Sequence, residues 1–357
     1  MGKLAALGVL AESLLTPHGM DRYLELIDPM LVRRDLRGEV TAVRRQTACT
    51  VTLTVRTSRA WRGFTAGQFV RVTVGIDGVR RTRCYSPACS QHRPGELEFT
   101  IKADPNGLVS RYLHDHARPG MVLGLSAADG TFTLPEDRPH RIVLISGGSG
   151  ITPVLSMLRT LADEGYTGEV AFLHYARSAA DVTYGAELVE LGRRRGVRIV
   201  LAHTRDEGAE LAGHFRQEHL EHAAPWFREA RTYLCGPPAL MESVRATYAQ
   251  HGLSERLLTE EFTPPAIATE AGDATGRIRF TRSATEVANT GRPLLEQAEA
   301  AGLTPEHGCR MGICFSCTQL KTKGTVRNAA TGETSGDDDE EIQLCISVPV
   351  GDVEIDC

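Results

Sequence analysis

The stretch HGCRMGICFSC, residues 307–317, sets three thiols at the spacing C-x4-C-x2-C, and Cys345 follows 28 residues after Cys317. Two irons bridged by two sulfides need four thiolates, and three from one loop plus one from a distant strand enclose such a cluster. Gly308 and Gly312 suit a loop whose amides turn inward, where hydrogen bonds to sulfur help set the reduction potential. Structural zinc usually shows paired short spacings, so the x4-then-x2 triplet favours iron–sulfur over zinc. Cys309, Cys314, Cys317 and Cys345 are therefore the expected ligands of a [2Fe–2S] centre, and the chain is expected to move electrons. Cys49, Cys84, Cys89 and Cys357 match no ligand position, and the first three are expected to be buried thiols.

Around that loop, composition narrows the field. A chain of 357 residues has a prior of two or three compact units, and 41% apolar residues supply cores for them. The net charge of −5 gives no sign of nucleic-acid binding. From Arg277 to the end, 8 Lys/Arg stand against 13 Asp/Glu, which accounts for the whole imbalance. Such a face can meet a basic partner or be an ordinary solvated surface. Nine cysteines without regular disulfide spacing fit metal ligation in a reducing, cytoplasmic compartment. Lys3 followed by Leu4–Ala11 imitates a signal peptide, but it is short and lacks a clear cleavage site, so an amphipathic helix is expected. No stretch of ~20 apolar residues predicts a membrane span.

Periodicity divides the chain. Residues 1–37 read as a helical extension broken at Pro17 and Pro29. Residues 38–138 read as a small antiparallel barrel: 39–45, 49–57, 68–74, 79–85 and 96–102 alternate and are rich in Val, Thr and Phe. A helix over 108–117 and strands over 121–125 and 132–134 complete it. Residues 139–262 alternate buried strands (141–146, 170–175, 197–203, 232–235) with helices, the first over 153–162, which predicts a parallel α/β sheet. Residues 263–276 (TPPAIATEAGDATG) read as a linker, and 277–357 as a third unit with a strand pair, a helix over 293–301 and the cysteine loop.

A cluster takes one electron at a time, so a hydride donor needs a converter, and a flavin is the usual one. Arg83, Tyr85 and Ser86, in RCYS, offer a cation for phosphate, a ring for stacking and a hydroxyl. Gly107, Val109 and Ser110, in GLVS, open a helix whose amides can hold phosphate. In GGSGITP, Gly147, Gly148 and Gly150 let backbone approach a pyrophosphate, Thr152 can cap the helix, and Pro153 suits its first turn. This is not the Rossmann fingerprint, since Pro153 stands where its third glycine belongs.

The ordered set AGQFV (66–70), RCYS, GLVS, GGSGITP and YLCGPP (233–238) resembles the ferredoxin–NADP reductase superfamily, and the cysteine loop with CISVPVGDVEI resembles plant-type ferredoxin. The resemblance implies a multidomain protein with an antiparallel β-barrel flavin domain, an α/β parallel-sheet nucleotide domain and an α+β β-grasp ferredoxin domain. It implies FAD rather than FMN, with Arg83 on the pyrophosphate, Tyr85 and Ser86 on the ring, and Phe99, Ile101 and Lys102 beside it. It puts Cys235, Gly236 and Pro237 at the nicotinamide. Arg177, Thr204 and Arg205 match positions that favour NADPH, with NADH as the alternative. The domain order resembles phthalate-dioxygenase-reductase-like proteins, and residues 14–29 resemble actinobacterial reductases of membrane stearoyl-CoA desaturases. The implied acceptor is a diiron fatty-acyl desaturase, which would bring the chain to a membrane through its partner. A Rieske oxygenase, a cytochrome P450 or another monooxygenase is the alternative acceptor. A non-turnover redox sensor and a flavin reductase with a merely structural cluster are the alternatives of other kinds.

Overall fold

In this computed structural model, residues 27–32, 35–105, 107–206, 208–262, 274–308, 310, 312 and 315–357 are described. The helical extension and the linker expected from the sequence lie almost wholly outside them. So do Cys309 and Cys314. Within the extension, Pro29 does not simply break a helix: it opens the 3-10 turn Pro29–Leu31, whose Met30 N–H is accepted by Asp28 at 2.8 Å. The chain divides into two compact units: one is residues up to 81 with 85–261, the other is 82–84 with 262–357, so the main boundary falls between Glu261 and Phe262.

Alternation from Gly38 onward does produce an antiparallel sheet. Its strands are β1 (Arg37–Thr47), β2 (Thr50–Thr57), β3 (Val70–Ile76), β4 (Val79–Tyr85), β5 (Glu96–Lys102) and β6 (Val122–Leu125), in the order β4-β3-β6-β1-β2-β5. The ends of this path meet where the Ala88 N–H donates to the Glu98 carbonyl at 2.7 Å, closing the barrel. Val40, Val51, Leu53, Val72, Leu97 and Phe99 fill the interior, and helix α1 (Leu108–His116) adds Val109 and Leu113 to it. The strand expected over 132–134 does not form. Phe132 and Leu134 are buried by packing alone, and the pairing there is a single bridge from Phe69 to Asp129.

The second sheet follows in the same unit, with β7 (Arg141–Gly147), β8 (Glu169–Ala176), β9 (Val197–His203), β10 (Leu211–Ala212), β11 (Arg231–Cys235) and β12 (Leu257–Glu260). All its pairings are parallel, in the order β10-β9-β8-β7-β11-β12. Strand order reverses between β7 and β11, and open α/β sheets bind ligands at that point. Helix α2 (Ile151–Asp163) is buried along most of its length, as a helix covered on more than one side must be. Beyond it come α3 (Gly185–Leu191), α4 (Gln217–Ala223) and α5 (Pro238–Gln250). The last two pack on the opposite face of the sheet through Leu220, Met241 and Val244.

The second unit is one sheet of β13 (Arg277–Phe280), β14 (Thr285–Ala288), β15 (Thr318–Asn328), β16 (Thr334–Ser335), β17 (Glu340–Gln343) and β18 (Ser347–Ile355), with helix α6 (Leu294–Ala300). β13 pairs parallel with β18, and β18 pairs antiparallel with β15. Ile278, Phe280, Leu295 and Val353 form its core together with Cys317 and Cys345.

Candidate redox and nucleotide sites

Sequence places Tyr85 at the end of β4 and Ser86 just after it, and both lie beside the closed seam of the barrel. The Tyr85 ring stands 6.5 Å from that of Phe99 at 58°. Ser86 is buried, and its hydroxyl donates to Glu260 Oε2 at 3.4 Å. Glu260 ends β12, in register with Cys235 on β11. Removal from water pushes the Glu260 carboxyl up to about 8, while the Ser86 hydroxyl pulls it down. The Cys235 thiol is fully buried and pushed well up by burial, with Glu260 and Glu261 adding to the effect, so it is a neutral thiol. Ser86 thus meets Glu260 on the edge strand, in register with Cys235 on the strand beside the order reversal. Glu260 was not among the residues the sequence singled out.

The glycine turn is shaped by close approach. A Cβ on Gly150 would stand 2.3 Å from the Cys235 carbonyl oxygen, and Gly148 adopts φ +55°. These two glycines let the turn between β7 and α2 lie against the end of β11. Thr152 is not the cap: the helix begins at Ile151, and the Thr152 hydroxyl donates back to the Ser149 carbonyl at 3.4 Å. Beside the turn opens a cavity of about 540 Å³, lined among others by Gly147, Gly148, Arg177, Thr204, Pro237 and Ser243. Arg177 donates to Asp181 at 2.8 Å there, while Arg205 is exposed and its N–H is taken by the Arg177 carbonyl at 2.9 Å.

Phe99, Ile101 and Lys102, expected together beside the flavin, have different surroundings. Phe99 and Ile101 point into the barrel core, so they can offer a cofactor only main chain. Lys102 lines the cavity instead, its Nζ 3.7 Å from where a Gly148 Cβ would stand. Cys49, expected to be buried, is half-exposed and lines the same cavity, and Cys84 is also half-exposed; Cys89 is buried. On α1, Ser110 Oγ accepts the Asp104 N–H at 3.1 Å and donates to the Gly107 carbonyl at 3.2 Å. It thereby fixes the turn that precedes the helix, while Val109 is core.

In the second unit Cys317 and Cys345 are buried, and the Leu344 N–H donates to the Cys317 carbonyl at 3.1 Å, which brings the two thiols' segments together. Gly312 has φ +76°, and any Cβ there would stand 2.5 Å from Ile346 Cδ1. Two buried thiols on neighbouring segments beside a glycine-tight loop fit the donor set a [2Fe–2S] cluster requires. A largely apolar cavity with Lys102, Arg177 and Ser243 on its wall, beside a glycine turn, likewise fits a dinucleotide, and a barrel edge carrying Arg83, Tyr85 and Ser86 fits a flavin.

The chain matches the oxidoreductase FAD-binding domain over residues 39–134, the oxidoreductase NAD-binding domain over 144–246 and the 2Fe-2S iron-sulfur cluster binding domain over 279–350. It is 35% identical to a Mycobacterium tuberculosis NADPH oxidoreductase over 357 residues, covering 98% of this chain and 92% of that one. It is 33% identical to the reductase subunit of glycine betaine monooxygenase from Pseudomonas aeruginosa, covering 82% and 87%. Among solved structures, phthalate dioxygenase reductase aligns at 25% identity with a TM-score of 0.62 over 91% of this chain and 98% of its own. Together these define an NAD(P)H-dependent oxidoreductase with FAD and a [2Fe–2S] cluster as its cofactors. The chain belongs to the ferredoxin–NADP reductase superfamily, among the phthalate-dioxygenase-reductase-like proteins that carry a C-terminal [2Fe–2S] domain.

Proposed function

We propose that the chain is an NADPH-driven reductase that passes electrons through FAD and its cluster to a membrane diiron fatty-acyl desaturase. The observation that carries the acceptor is the N-terminal segment 14–29. It resembles desaturase reductases, and the match to the mycobacterial NADPH oxidoreductase extends over 98% of the chain against 82% for the glycine betaine reductase subunit. The domain division is 38–138 for flavin, 139–262 for nucleotide, 263–276 as linker and 277–357 for the cluster, preceded by the 1–37 extension. When bound, the flavin accepts a hydride and releases its two electrons singly. Around it Arg83 holds the pyrophosphate, Tyr85 and Ser86 meet the ring, and Glu260 holds a proton beside Ser86. Gly107 and Ser110 shape a phosphate-holding helix start. Gly147, Gly148, Gly150 and Lys102 receive the nucleotide's phosphates, Cys235, Gly236 and Pro237 face the nicotinamide, and Cys309, Cys314, Cys317 and Cys345 hold the cluster.

A second reading, an oxygenase as acceptor, is favoured by the names of relatives: besides the glycine betaine subunit, a propane 2-monooxygenase reductase component from Rhodococcus jostii is 29% identical over 242 residues. Reconstitution decides between them. Electrons from NADPH should drive desaturation in membranes carrying a fatty-acyl desaturase. Turnover with a Rieske oxygenase and none with the desaturase would overturn the first reading. For the nucleotide, Arg205→Ala should raise the KM for NADPH by about 10- to 100-fold, the worth of a charged hydrogen bond, and leave that for NADH unchanged. Equal turnover with both nucleotides, unaffected by the substitution, would sink the NADPH assignment.

A further inference from the structure

Three polar residues of α2, Ser156, Arg159 and Thr160, face the barrel. Ser156 Oγ donates to the Cys89 carbonyl at 2.7 Å, and the Gln91 N–H donates to Thr160 Oγ1 at 3.1 Å. Between them Arg159 reaches furthest. Its Nη1 donates to the Ala88 carbonyl and to Glu98 Oε1, both at 2.7 Å. Its Nε and Nη2 form a fork onto the two oxygens of Glu187, both at 2.6 Å. Its guanidinium lies 4.8 Å from the centre of the Tyr184 ring, and the Tyr184 hydroxyl donates to Glu98 at 2.8 Å and also meets Thr100. Tyr184 holds φ +63°, a left-handed conformation that costs a bulky residue energy and persists only when its surroundings enforce it. The side chains of Arg159 and Glu98 are each only 11% exposed.

None of Arg159, Glu98, Glu187 and Tyr184 lines the nucleotide cavity. Nor is such a network the natural way to gain stability, because apolar packing of the same volume often does as well or better than a buried ion pair. What a forked guanidinium supplies is direction. The two elements it joins matter for that reason. β5 runs from Glu98 to Lys102 at the cavity, and α2 begins at the glycine turn. Hydride transfer needs the reacting atoms within roughly 3–3.5 Å, and a misplacement of about 1 Å can cost about 100-fold.

We propose that Arg159 is a positioning residue for hydride transfer: with Glu98, Glu187 and Tyr184 it locks the flavin barrel to the nucleotide sheet in the orientation that brings nicotinamide against flavin. The inference rests on the relay described above, and two measurements keep the two apart. In the flavin-loaded protein, Arg159→Met should slow flavin bleaching at saturating NADPH by roughly 10- to 100-fold, with nucleotide affinity and flavin content nearly unchanged. Arg159→Lys, which keeps the charge and loses the fork, should fall between. Tyr184→Phe, which removes one hydroxyl, should slow bleaching less than Arg159→Met and covers the case in which that variant does not fold. In flavin-depleted protein, hydrogen exchange at Gln91 and along α2 should quicken in Arg159→Met while β1 and β2 stay protected. A rate per bound flavin that is unchanged in the folded variants, or exchange that quickens equally across the barrel, would overturn the positioning role. Failure of the wild-type protein to reduce its flavin with either nucleotide would instead overturn the relay, and the exchange experiment would still report on the lock.

Discussion

Replacing Cys317 by serine should all but abolish reduction of cytochrome c by NADPH while leaving ferricyanide reduction intact. Cys317 is buried at the start of β15 with its carbonyl tied to Leu344, next to Cys345, so serine would put a poor iron ligand where no water compensates. Loss of outer-shell partners alone costs metal sites about 10- to 100-fold, and losing a ligand should exceed that. Apart from Arg83, the flavin and nucleotide residues named above lie in the other compact unit, so hydride entry and direct exit from the flavin to two ferricyanide ions, one electron each, should persist even if the cluster-bearing sheet loosens. Stopped-flow and steady-state assays with both acceptors on the same preparation check this. Parallel loss of both activities would mean that the cluster supports the fold of the flavin unit. Retention of both would mean that the cluster is not on the electron path.

Glu260→Gln should lower the rate of flavin reduction by roughly 100-fold or more, within the range a positioned acid–base group supplies. The carboxyl is pushed up to about 8 by its removal from water, so near neutral pH it carries a proton beside Ser86. A protonated carboxyl can give up its proton beside Ser86 as negative charge arrives, which neither a carboxylate nor the glutamine amide can do. The wild-type rate should therefore fall as pH rises through about 8, and the variant should lose that limb. Stability carries the same signature. Between the ordinary 4.5 and about 8 the folded state keeps a proton that the unfolded chain has released, so this group's contribution is full below 4.5 and is lost as pH rises through 8. Thermal melting against pH should be flatter over that window in Glu260→Gln. A variant whose rate and melting profiles match the wild type would remove Glu260 from the site.

Ser86 and Cys235 could be singled out in the sequence because each sits in a motif, and Glu260 could not because its strand has none. Leu257–Glu260 is four residues long, half-buried at a sheet edge and without a turn signal on either side, so only its pairing with β11 reveals what it carries. Alternation found the barrel strands but not their faces. Along β5 the period of two sends Leu97, Phe99 and Ile101 inward and leaves Glu98 and Thr100 for Tyr184 and Arg159, which belong to a segment more than fifty residues away. Phe132-Thr-Leu134 alternates as a strand would, yet finds burial against Tyr233 without a ladder. The cysteine spacing could be read at once because a cluster dictates it covalently, whereas a helix cap such as the one expected at Thr152 depends on where the helix happens to start.

Glu260 is followed directly by Glu261 and Phe262, where the first unit gives way to the second. The residue that meets Ser86 is thus almost the last of its unit. A recombination that swaps the iron–sulfur module for another electron carrier and breaks the gene upstream of codon 260 would separate Glu260 from Ser86.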